Sequence, residues 1–187
     1  MFGTEMLQGM GGGMPQMPAA PAEESKDIVN INELIDTTKS ECQNLDSETP
    51  LANAFTDTET SVLKSDCDEQ LLFNLYFQSA VKIHHLVIRA PELAAAPLNL
   101  KTYINKCPMS FDDVEAIDPV EALEIQEGEL QGDIILNFVK YQNVSNLTIF
   151  IEDNRDGGDV TQLCKLEIHG SPLLQSDMKN LKKVGCS

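Results

Sequence analysis

Residues 139–154, VKYQNVSNLTIFIEDN, are the stretch whose reading decides the fold class. From Leu147 the residue types alternate, with Leu147, Ile149 and Ile151 on one side of the chain and Thr148, Phe150 and Glu152 on the other. That period of two is the signature of a strand. Before it, Asn143, Ser145 and Asn146 interrupt the pattern with turn-forming side chains, and Val139 and Tyr141 start a second short alternation, so the stretch reads as a β-hairpin. After it, Asn154-Arg-Asp-Gly-Gly-Asp159 is a glycine-bearing turn of the kind that joins antiparallel strands, and Thr161 to Gly170 alternates again. The second half of the chain is therefore expected to be a β-meander.

Working outward, Leu71-Leu-Phe-Asn-Leu-Tyr-Phe77 is apolar at nearly every position, as in a central strand buried on both faces, and Gln78 and Ser79 read as a tight turn. The next run slips in phase. Val81 and Ile83 share one parity while Leu86, Ile88 and Ala90 share the other, so both sets can face one core only if an extra residue is absorbed at His84 and His85. A β-bulge is expected there. Adjacent strand residues point to opposite faces and no carboxylate or cysteine lies at ligand spacing, so the two histidines read as structural rather than as a metal site or general base. Leu98 to Asn105, Ala122 to Gln126 and Asp133 to Phe138 supply further strands.

Helix signals are few. Asn30 or Asn32 can cap a short helix from about Asn32 to Lys39. Ser110 can cap a turn running to Ile117, with Asp113 at capping-box spacing and Pro119 beyond the end. Asp112, Asp113 and Glu115 lack the alternating spacing of a calcium loop, and acidic residues near a helix start are favoured by its dipole. Roughly eight strands with so little helix mean an all-β fold, a β-sandwich or jelly roll.

Composition excludes several functions. Thirteen Lys and Arg against 30 Asp and Glu give a formal charge of −17, which repels nucleic acid and anionic membranes alike. The five cysteines (Cys42, Cys67, Cys107, Cys164, Cys186) form no C-x-x-C and no Cys-His zinc spacing, which fits reduced thiols in cytoplasm or nucleus. Residues 1–27 form a Met-, Gly- and Pro-rich leader with no basic n-region and no uninterrupted apolar run, expected to be disordered. A short helix and linker over 28–41, the β-domain over 42–184 and a three-residue tail, 185–187, complete the expected organisation. The two sequons at Asn143 and Asn146 then read as chance matches. No G-x-S-x-G, P-loop, dinucleotide fingerprint or H-E-x-x-H is present, Cys67 lies between Asp66 and Asp68 where a thiolate is disfavoured, and no cofactor or enzymatic activity is expected.

Seven segments in order resemble the PITH domain family: Cys42-Gln-Asn-Leu-Asp-Ser47, Leu63-Lys-Ser-Asp-Cys-Asp-Glu-Gln-Leu-Leu72, Val81-Lys-Ile-His84, Ser110-Phe-Asp-Asp-Val-Glu115, Val139-Lys-Tyr-Gln-Asn-Val144 with Leu147-Thr-Ile-Phe-Ile-Glu-Asp-Asn154, Ile168-His-Gly-Ser-Pro172, and Met178-Lys-Asn-Leu-Lys-Lys-Val184. The resemblance implies a galactose-binding-like jelly-roll β-sandwich and association with the 26S proteasome regulatory particle. Thioredoxin-linked members add a redox domain; the short region before Cys42 holds no Trp-Cys-x-x-Cys, so reductase activity is not implied for this chain.

The function expected from these readings is a monomeric, non-catalytic docking module. Its expected contacts are the acidic segment with Ser65, Asp66, Asp68 and Glu69, and the basic C-terminal segment with Met178, Lys179, Leu181, Lys182 and Lys183, because exposed charge steers docking. The bland reading of the acidic segment is a loop whose side chains cap neighbouring backbone groups. A small-ligand or carbohydrate-binding jelly roll is the alternative; it needs an aromatic platform, and the chain has no Trp and three Tyr. Redox chemistry beside a thioredoxin partner would need an exposed cysteine of low pKa.

Overall fold

The computed structural model describes residues 28–56 and 61–173. Its strands are β1 (Val29–Asn30), β2 (Glu41–Gln43), β3 (Leu63–Lys64), β4 (Leu71–Arg89), β5 (Asn99–Ile104), β6 (Glu121–Glu124), β7 (Ile134–Ile135), β8 (Val144–Ile151), β9 (Gln162–Leu163) and β10 (Lys165–Pro172), with one α-helix, α1 (Phe111–Ala116). Eight strands share a curled antiparallel sheet in the order β1-β10-β4-β8-β5-β6, with β2 and β7 also pairing β4, while β3 and β9 form a separate ribbon. This is an all-β fold of the jelly-roll type.

The alternation in β8 works as its sequence requires. Leu147, Ile149 and Ile151 enter the main core with Phe73, Leu75, Ile83, Leu86, Leu166 and Ile168. Phe150, on the opposite face, packs with Leu72, Tyr103, Met109 and Val114 beneath α1. Helix α1 itself is short and capped: the Ser110 N–H and hydroxyl both donate to the Asp113 carboxylate, at 2.8 and 2.7 Å. Those bonds hold the Asp113 carboxyl below its ordinary range.

Strand β4 organises everything else. Its first half pairs with β8 from Leu71↔Ile151 to Tyr76↔Asn146 and with β2 on the other side. Its second half pairs with β10 from Val81↔Pro172 to Arg89↔Lys165, and with β7 at His85 and Leu86. No turn occurs at Gln78 and Ser79. The strand runs straight through, and the polar pair marks where β4 changes neighbours: Ala80 O accepts from Leu173 N, and Phe77 bridges Ile35. The β-bulge does occur. His169 pairs His85 but Gly170 pairs Ile83, leaving His84 without a partner on β10 and bringing Leu86 and Ile88 onto the core face.

Three other expectations are corrected. Residues 138–141 form a 3-10 turn, not a hairpin strand, because Tyr141 is drawn into the core, where its OH meets Thr102 Oγ1 at 2.6 Å, while Val139 stays 80% exposed. The β-meander is absent: β8 and β10 both pair with β4 and not with each other, since the connection around Asn154 is a closed loop too long to dictate neighbours. The helix at Asn32 is one 3-10 turn ending at Leu34. Ile31 and Ile35, on either side of that turn, are buried in the core, so the 28–41 segment packs into the sheet.

Gly170 sits against the bulge with no room for a side chain: a Cβ there would lie 1.9 Å from the Lys82 carbonyl oxygen. Gly170→Ala must push β10 from β4, and it is expected to lower stability by roughly 2–4 kcal/mol, read from urea unfolding midpoints against wild type.

Candidate functional site

Asn44 fixes the acidic segment. It adopts a left-handed backbone conformation, φ 61°, which asparagine tolerates better than most residues. From there its Nδ2 donates to Asp68 O, Asp68 Oδ1 and Gln70 O, and its Oδ1 accepts from Cys67 N. Asn44 O also accepts from Asp66 N. Ser65 is 3% exposed, and its hydroxyl accepts from Thr161 N at 2.9 Å, so its side chain serves the interior rather than a partner. Asp66 and Asp68 are exposed and Glu69 half-buried. The segment is thus both a capped loop and a surface bearing carboxylates.

A second loop lies beside it. The β3–β9 pairs Leu63↔Leu163 and Lys64↔Gln162, with Thr161 Oγ1 donating to Glu69 O, bring Thr161, the end of the 154–161 loop, against 65–69, while Arg155 N and Asp156 N donate to Ala96 O and Ala94 O. Asn154 closes that loop by donating to Gly158 O and Val160 O and accepting from Gly158 N, around Gly157 at φ 66°. Asp156 and Asp159 on this loop are exposed. The sequence shows Asp156 and Asp159 only as turn residues; the short β3–β9 ribbon that joins their loop to the acidic segment through Thr161 carries too few residues for a periodic signal. Met178, Lys179, Leu181, Lys182 and Lys183, like the 1–27 leader, lie outside the described residues.

The chain's three histidines converge. At the bulge, His84 and His85 come to one side, their Nδ1 atoms 3.0 Å apart, so one ring must donate and the other accept. The expectation that adjacent strand residues diverge fails here because a bulge re-aims its side chains. His85 stacks on His169, its cross-strand partner, with centroids 4.5 Å apart and planes at 15°. His169 Nε2 lies 3.0 Å from Glu167 Oε2, and Lys165 Nζ 3.0 Å from Glu167 Oε1. Stacked rings do not aim their nitrogens at a common point, and among the described residues no group of three or more His, Cys, Asp or Glu is arranged to hold a metal ion.

The thiols differ in setting. Cys67 is exposed, whereas burial pushes the thiols of Cys42 and Cys107 above their ordinary range. Cys107 lies beside Thr148 Oγ1 at 3.1 Å in a buried network centred on Asn74, whose Oδ1 accepts from Thr148 Oγ1 and Met109 N. That network fastens the 105–110 loop to β4 and β8.

A sequence model described as the PITH domain matches residues 21–185. Thioredoxin-like protein 1 of Schizosaccharomyces pombe is 34% identical over 92% of this chain and 61% of its own length. PITH domain-containing protein 1 of Homo sapiens is 31% identical over 58% of this chain and 51% of its own length. The chain therefore spans between about half and three fifths of these relatives. Among solved structures, a family 32 carbohydrate-binding module of Clostridium perfringens in complex with galactose superposes with a TM-score of 0.53 at 8% identity, over 70% of this chain and 91% of that one. A two-module fragment from the same organism in complex with GalNAc gives 0.60 at 9%, over 78% and 36%. At such identities the likeness is one of fold.

Burial lowers the pKa of His85, opposed by the Asp133 and Glu167 carboxylates and reinforced by His169 and His84. A depressed folded-state pKa favours the neutral ring, so its contribution is complete above the ordinary histidine value of about 6.5 and is lost as pH falls through the folded value. Burial alone would raise Glu167, but hydrogen bonds from His169 and Lys165 outweigh it and hold that carboxyl low. Its contribution therefore fails only below about pH 4.5. The urea midpoint of wild type is expected to fall between about pH 7 and 5.5, and that of His85→Gln to fall less.

Proposed function

The chain belongs to the PITH domain family, and from that premise we propose that it is a non-catalytic docking module for the 26S proteasome regulatory particle, acting in cytoplasm or nucleus as a monomer. The observation that carries the reading beyond family membership is the acidic loop face. Asp66, Asp68, Asp156 and Asp159 are exposed on two loops fastened by Asn44, Asn154 and the Ser65–Thr161 pair. Carboxylates held on braced loops lose little freedom on binding, and their common sign orients an approaching basic surface. The basic segment with Lys179, Lys182 and Lys183 supplies a second contact of opposite sign, with Met178 and Leu181 as apolar anchors. A charge of −17 sets nucleic acid and anionic lipid aside as partners.

A glycan-binding reading has the fold neighbours in its favour. Against it, every described aromatic side chain is buried or half-buried, so no described ring offers an open platform for a sugar. Partnership with a thioredoxin through Cys42 or Cys107 is opposed by the burial that disfavours their thiolates.

The full chain, immobilised, is expected to retain purified regulatory particle and whole 26S proteasome in a salt-sensitive manner. Combined Asp66→Lys, Asp156→Lys and Asp159→Lys, which leaves the Asn44–Asp68 bonds intact, should weaken retention about tenfold. Truncation after Pro172 should weaken it further. Retention of neither assembly at any salt would end the proteasome reading and leave a glycan array as the next screen.

A further inference from the structure

Strand β6 ends the main sheet, and its outer edge has no strand beside it among the described residues. Ile125 N donates inward to Leu98 O. By the alternation of an antiparallel ladder, the N–H and C=O groups of Ala122 and Glu124 then point away from β5. Both residues are exposed. Glu121–Glu124 holds no proline, no lysine and no bulge in its register with β5, so what restrains pairing is its four-residue length and its two glutamates.

A groove adjoins this edge. One part is lined by β5, β6 and Glu152, and it continues past Lys101 into a second part between α1 and the sheet, floored by Phe111 and Phe150. The two rings meet edge to face at 6.1 Å. Glu115, Glu124 and Glu152 supply carboxylates to the groove. Its cation, Lys101, is tied to Glu152 at 2.8 Å and lies 5.8 Å from the centre of the Phe150 ring. Two carboxylates are thus left in excess along a strip that ends in the outward backbone of Ala122 and Glu124, where the exposed Gln126 side chain donates to Glu124 O at 3.3 Å, a contact an incoming strand would displace.

We propose that the β6 edge and this groove receive an extended segment rich in Lys or Arg from a partner protein, which adds a strand to the sheet. Backbone pairing at Ala122 and Glu124 supplies the register, and Glu115 and Glu124 select basic side chains on the face toward the groove. The same carboxylates repel acidic segments, which is how an open edge on so acidic a chain avoids pairing with its own copies. None of the loop carboxylates of the acidic face lies here, so the inference stands apart from the docking reading above.

The test uses the full chain and a labelled synthetic peptide of about eight residues alternating Lys and Val, with alternating Glu and Val as control. Fluorescence anisotropy is expected to show binding of the Lys peptide alone. Affinity should fall about tenfold in Ala122→Pro, which removes an outward N–H at a position where an edge strand tolerates proline, and similarly in Glu115→Lys with Glu124→Lys. In wild type, the amide resonances of Ala122 and Glu124 should shift on titration, a readout independent of how either variant folds. Equal binding of both peptides, unchanged affinity in the folded variants, or shifts confined to other residues would overturn the proposal. Binding seen only when Lys179, Lys182 and Lys183 are changed to Glu would also overturn it, assigning the edge to the chain's own basic segment.

Discussion

The constraint on which the structure depends is the length of β4. A strand from Leu71 to Arg89 outruns any one partner, so it changes neighbours along its length, from β8 and β2 in its first half to β10 and β7 in its second, within one curled sheet. Changing neighbours in a curled sheet requires its apolar face to turn with the curl. The bulge at His84 supplies that turn, adding one residue so that the odd-numbered set ending at Ile83 and the even-numbered set from Leu86 reach the same core. Gly170 is its complement on β10, where the two backbones approach too closely for a Cβ. Beyond the N-terminal end of β4 lies the acidic loop, so the surface proposed to dock is held by the strand that carries the core.

Local chemistry was legible where it is local. The β8 alternation, the Ser110–Asp113 cap and the phase slip across His84 and His85 each depend on a few neighbouring residues, and each is found as read. Strand neighbours were not legible, because Asn154 to Asp159 resembles a hairpin turn in composition while its side-chain bonds close it as a loop. Gln78 and Ser79 misled for a related reason: exposure where a strand changes partners has the same polar composition as a turn. The fastening role of Asn44 was hidden too, since it rests on contacts with residues more than twenty positions away.

The histidines show how one correct inference can defeat another. Placing a bulge at His84 and His85 implies that the usual alternation fails there, and it is this failure that brings the rings together with His169. The cluster seals the junction of β4, β10 and the segment before β7. The surfaces proposed to act are a braced acidic loop pair and a strand edge lined by carboxylates. The first is held by the β3–β9 ribbon before β4 begins, the second by the pairing of β6 with β5.

Deletion of His84 is the most direct test of the account, followed by amide hydrogen exchange along β4 and β10. Removing the absorbed residue makes the alternation regular, so Val81, Ile83, Leu86 and Ile88 keep the core face without a bulge, and protection across residues 81–89 and 165–172 should stay close to that of wild type. Collapse of that protection with a sharply lower unfolding midpoint would contradict the claim that His84 is the extra residue absorbed between β4 and β10.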